Sequence, residues 1–93
     1  MPDLRNVING YDGPPEGPDL ESLRQRAYRV AHTDIQPGDL VFFHDGDPQQ
    51  GAMHMGQVSN QGVHLNPFDP STLQSTLSPY WLARFMDVRR LRG

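Results

Sequence analysis

Apolar residues in the first third of the chain recur at helical spacing. Leu20, Leu23, Ala27 and Val30/Ala31 form one stripe, while Arg24, Gln25, Arg26 and Arg29 fall mostly on the other face. Asp19 follows Pro18 and is placed to cap the N-terminus of such a helix, which should stop before the Asp34–Gly38 turn, its last residues already extended. From Asp39 the period changes. Leu40-Val41-Phe42-Phe43 is a short apolar run after Pro37-Gly38 and suits a buried strand. Gly46, Asp47, Pro48 and Gly51 mark a loop. Segments 52–59 and 62–66 read as extended, with Asn60-Gln61 between them as a tight hairpin turn. Pro67, Pro70 and Pro79 punctuate a loop expected to hold one helical turn at most. Tyr80, Trp81, Leu82 and Phe85 supply large apolar surface, and 86–91 alternates as a closing strand. Together these predict an α+β fold: one N-terminal helix followed by a small antiparallel β-sheet.

The first eighteen residues break this regularity. Gly10, Gly13, Gly17, Pro2, Pro14, Pro15 and Pro18 predict an irregular arm over 1–18, with Leu4, Val7 and Ile8 available to pin it to a neighbour. Residues 19–93 then form the folded unit. At 93 residues with 35% apolar content, the chain is one small domain of modest core. Its mean hydropathy of −0.65 points the same way. A chain of this size hides only roughly 60% of its unfolded surface.

Charge and cysteine content narrow the function. A net charge of −3 argues against nucleic acid as a partner, because phosphate neutralisation needs a basic surface. The basic residues Arg84, Arg89, Arg90 and Arg92 crowd the C-terminus and read as a solvated basic face or an anion contact. No stretch is apolar for long enough to span a membrane, and the N-terminus lacks the pattern of a signal peptide. With no cysteine, the chain has no disulfide, no cysteine-ligated zinc and no thiol nucleophile of its own. Ser59, Ser71, Ser75 and Ser78 fall in turns and loops, where hydrogen bonding to local backbone is the usual role.

Four histidines remain: His32, His44, His54 and His64. His32 closes the helix and His44 ends a strand, positions that suit solvated or helix-dipole roles. With Ser59 facing Gly62, His54 lies level with Pro67, three residues beyond direct pairing with His64. The two share parity, and from this both imidazoles are expected on one sheet face. Such a pair admits three readings: ordinary polar residues of a half-exposed sheet, metal ligands helped by Asp45 or Asp47, or a general base with its orienting group. HxH, HxxxH and HExxH spacings are absent, so no metal and no other cofactor is expected.

Ile35-Gln36-Pro37-Gly38-Asp39-Leu40-Val41-Phe42-Phe43 resembles the Leu-x-Pro-Gly-Asp-Leu-Val-Phe-Phe strand opening of the NlpC-type cell-wall peptidases. His54-Met55-Gly56 resembles that family's His-Val-Gly strand. Gly62-Val63-His64 resembles the strand after it, and Tyr80-Trp81, Phe85 and Arg89-Arg90 its ending. The four blocks come in the family's order across about residues 20–91. The resemblance implies the sheet half of a papain-like domain that hydrolyses peptidoglycan stem peptides through a cysteine nucleophile. It makes His54 the catalytic base and His64 the group that orients it, with Asn66 as the fallback for that role. Gly56 would keep the strand slim beside the cleft.

The family's nucleophile belongs to an Asp-Cys-Ser-Gly helix upstream of every matched block, and neither the motif nor the helix is found here. Without that helix the sheet residues Val41, Phe43, Val58 and Val63 should be partly uncovered, a patch of the kind that marks an interface. The chain is therefore expected to dock another polypeptide or a second copy of itself. Three functions compete. It is half of a split peptidase, favoured by a Met1-Pro2 start in what would be the middle of the domain. It is an inactive relative kept for wall binding or for assembly in a phage tail or lysis apparatus. Or it is an unrelated small β-rich binding protein. A wall substrate points to the cell envelope or a phage particle.

Overall fold

In a computed structural model, residues 16–17, 19–66 and 69–91 are described. The expected N-terminal arm lies outside them except for Glu16 and Gly17. Helix α1 (Asp19–Arg26) leads into strand β1 (Ala27–Arg29), and β2 (Leu40–Phe43) follows after a loop. The hairpin strands are β3 (His54–Ser59) and β4 (Gly62–His64). Strand β5 (Leu73–Gln74), the short helix α2 (Pro79–Leu82) and β6 (Phe85–Leu91) complete the order. One sheet forms, in spatial order β1-β6-β2-β3-β4-β5, with every neighbouring pair antiparallel. This is the small α+β domain that the residue pattern predicts.

Two details of the pattern mislead. The helical stripe runs on to Val30/Ala31, but the helix stops at Arg26. Ala27, Tyr28 and Arg29 instead face Leu91, Arg90 and Arg89 across the edge of the sheet, and the Val30 amide donates to the Val88 carbonyl at 2.9 Å. The backbone partners that β6 offers outweigh three more residues of helix. Similarly, the proline-punctuated loop holds two residues of edge strand at Leu73–Gln74 in addition to its turns.

Strand β2 explains the core. All four of its residues are buried, and they alternate between two apolar clusters. Leu40 and Phe42 pack with Met55, Ala52 and the α1 residues Leu20 and Leu23. Val41 and Phe43 pack on the other side with Val88, and with Ile35, Val58, Val63, Leu77 and Trp81 around them. Helix α1 covers the first face, where burying each leucine contributes about 1.5–3 kcal/mol. Loops and α2 cover the second face only in part. Val41 and Phe43 are closed over, whereas Val58 and Val63 stay half-buried beside a hollow of about 230 Å³ lined by Ile35, Val41, Leu77 and Phe85.

Polar fasteners tie these layers together. Asp39 is buried and accepts a forked pair of bonds from Arg90 at 2.6 and 2.9 Å, plus the Gln36 amide at 2.8 Å. Asp87 accepts from Arg24 of the helix at 2.8 Å and from Arg89 at 3.1 Å. Glu21 reaches across from α1 to accept the Ala52 amide at 2.7 Å. Gly51 makes room for it, since a Cβ there would press on the Glu21 carboxylate and Gly51 itself sits at φ +82°. Among the described residues, the C-terminal arginines are not simply a solvated basic face. Arg89 and Arg90 are internal fasteners on opposite sides of β6, and Arg84 stacks 3.7 Å from the Tyr80 ring centre; Arg92 lies outside the described residues.

Burial works against charge on Asp39, Asp87 and Glu21. For the two aspartates the arginine bonds outweigh it, and for Glu21 the bonds from Gln25, the Ala52 amide and Arg24 do, so all three carboxyls titrate below their usual range. A carboxyl whose folded value is depressed stabilises the fold fully above its unfolded value and loses that contribution as pH falls toward the folded one. Thermal stability is thus expected to hold at neutral pH and to decline below about pH 4, the ordinary carboxylate value. Asp39→Ala should lower the melting temperature at pH 7 by roughly 10 °C and flatten the acid-side decline. Calorimetry across pH checks both.

Candidate active site

His54 opens β3 and faces Phe43 across the β2–β3 ladder. The ladder puts its side chain on the face away from α1, beside Phe43. There Trp81 of α2 is wedged between aromatic neighbours, 4.9 Å from Phe43 and 5.5 Å from His54, nearly perpendicular to the imidazole at 82°. Trp81 both packs against the buried cluster around Phe43 and forms a wall of the site. A cavity of about 420 Å³ opens here, lined by Glu16, Phe43, His54, Leu65, Asn66, Tyr80 and Trp81.

Two carboxylates flank the imidazole. Its Nε2 lies 3.4 Å from Asp45 Oδ1, and its Nδ1 lies 3.9 Å from Glu16 Oε2. Glu16 is brought in by backbone, bridging to His54 while the Gly17 amide donates to the Met53 carbonyl at 2.8 Å. Nothing in the sequence singled out Glu16, since it belongs to the segment read as an irregular arm. Asp45 was visible only as an accessory acid two residues past a strand.

The hairpin forms in the expected register, with Ser59 opposite Gly62 and Gln57 opposite His64. That register separates the two histidines. Across a two-residue turn, directly paired residues have numbers of opposite parity and share a face. His54 and His64 have equal parity and therefore point to opposite faces of the sheet. The side chains agree. Val63 packs with Val58 on the His54 side, so its neighbour His64 turns to the α1 side. Asn66 instead lines the cavity with His54.

The other two histidines stand apart. His32 begins an exposed turn, while His44 Nδ1 accepts the Gly46 amide at 3.0 Å and so shapes the loop after β2. Among the described residues no three histidine, aspartate or glutamate side chains are grouped so as to hold a metal ion. Gly56 lies close under the hairpin, where a Cβ would meet Val63 Cγ1 at 2.6 Å. The strand must be slim here for packing, whatever passes beside it. Chemically, the site offers one imidazole in an aromatic cleft with acidic groups at its rim.

No family model matches the chain, and no solved structure does. Among curated proteins, the probable endopeptidase NlpC of Escherichia coli is 32% identical over 65 residues, which cover 68% of this chain and 42% of that protein. The chain spans less than half the length of this relative. The similarity is distant, and it agrees with the motif resemblance.

Because the sheet lies between them, His64→Ala should leave the imidazole resonances of His54 unmoved in an NMR spectrum of the folded chain. Trp81→Phe, which alters the ring packed on His54, should shift them.

Proposed function

We propose that these residues form the histidine-bearing lobe of an NlpC-like peptidoglycan peptidase, completed by a thiol from a polypeptide segment outside the 93. The observation that carries this reading is the placement of His54: its cavity opens on the sheet face away from α1, the face that also holds the apolar hollow between Ile35 and Phe85. A helix seated on that face would cover Val58, Val63 and Leu77. The similarity to an endopeptidase supports the same class of chemistry.

In such a site the imidazole takes the thiol proton, and the thiolate attacks the carbonyl carbon of a stem-peptide amide. The tetrahedral intermediate collapses with transfer of that proton to the leaving amine. Water, deprotonated by the same imidazole, then hydrolyses the thioester and restores the thiol. Of the two groups the sequence offers for holding the ring, only Asn66 shares its cavity; His64 is on the wrong face.

A second reading draws on a different observation. The complete absence of cysteine suits a lobe that binds peptidoglycan or an assembly partner without cutting. Mixing the chain with a polypeptide that carries an Asp-Cys-Ser-Gly helix, and following amine release from stem peptides, separates the two. Cleavage that falls by at least about 100-fold with His54→Ala is the result expected for a peptidase. Cleavage indifferent to His54, or retention on peptidoglycan with no cleavage, supports the binding module.

A further inference from the structure

We propose that Asp45 is the positioning residue for His54, accepting the Nε2–H bond and leaving Nδ1 as the basic nitrogen turned toward the cavity. The inference rests on His54 being the base, and it assigns the orienting role to the loop after β2 rather than to strand β4.

A base must present one nitrogen bare, and in neutral imidazole the second nitrogen then carries the hydrogen. A carboxylate on that second nitrogen fixes both the tautomer and the ring's orientation. Asp45 Oδ1 is 3.4 Å from Nε2. Glu16, the other acid facing the ring, stands 3.9 Å from Nδ1, beyond hydrogen-bond length. His64 is screened by the sheet.

The loop holding Asp45 is built rather than slack. On its near side the His44 amide donates to the Arg84 carbonyl at 2.9 Å, and His44 Nδ1 accepts the Gly46 amide at 3.0 Å. Gly46 adopts φ +100°, a conformation that permits this tight reversal. On its far side Asp47 accepts the Gln49 amide at 3.0 Å and caps the turn 48–50, after which the Met53 amide returns to the Phe43 carbonyl at 2.9 Å. Asp45 is therefore delivered from a clamped segment to a ring whose flank Trp81 already closes.

The test uses the ¹⁵N-labelled chain and long-range ¹H–¹⁵N correlation spectra, taken at a pH where His54 is neutral. The wild type is expected to show the Nε2–H tautomer almost alone. In Asp45→Ala the Nδ1–H to Nε2–H ratio should rise about three- to tenfold, as expected for the loss of one such bond, while Asp45→Asn, whose carboxamide oxygen still accepts, falls between. Asn66→Ala and His64→Ala should leave the ratio where it was. A ratio unmoved by Asp45→Ala, or moved instead by Asn66→Ala, overturns the assignment. The readout requires no cleavage, so a failed peptidase assay counts against the proposed function and not against this contact. In a reconstituted peptidase, Asp45→Ala should lower kcat with little change in KM, and Asp45→Asn should restore part of it.

Discussion

Strand β2 is apolar on both sides, and the rest of the molecule is arranged to satisfy that. An antiparallel sheet can leave one face to water, but four consecutive buried residues, Leu40 to Phe43, demand cover above and below. Helix α1 supplies one cover with Leu20 and Leu23. The other is assembled from separate pieces: Ile35 from the loop before β2, Leu77 from the loop before α2, and Trp81 from α2 itself. That patchwork closes over Val41 and Phe43 and leaves the hairpin side half-open. His54 sits where the patchwork ends, and the incomplete cover on this face leaves the cleft open.

Buried acids lock the layers to one another. Asp39 turns the chain into β2 and is gripped by Arg90 from the far end of the sequence; Asp87 joins α1 to β6 through Arg24. The Pro-Gly-Asp and Arg-Arg blocks that resemble the peptidase family are thus explained by architecture. They hold the central strands in register and say nothing of catalysis. Of the matched blocks, the His54 strand is the one that brings an imidazole into the aromatic cleft.

Most of the fold was legible because it depends on local signals. The change from helical to alternating spacing at Asp39, the turn at Asn60-Gln61 and the alternation after Phe85 each find their element. Edge strand β1 was legible only as an extended end to the helix and β5 not at all: three and two residues carry no period, and their pairing depends on partners distant in sequence. The site was half legible. His54 stands out by its motif, but its neighbours come from an arm, a loop and a helix whose meeting no spacing encodes. The hairpin register follows from the numbering, but the expectation that equal parity unites His54 and His64 fails because a two-residue turn makes paired numbers differ in parity. Asn66, two residues further on, reaches the cavity beyond the end of the ladder.

We propose that the His54 imidazole is completed by a sulfur from outside these residues. Its most direct test is the pH dependence with which a small alkylating reagent modifies the cysteine of a thiol-bearing partner, measured alone and with this chain. A thiol paired with an imidazole ionises at lower pH than a free one. The chain should therefore extend fast alkylation toward acid pH, and the His54→Ala chain should not. A profile identical with and without the chain would contradict the account.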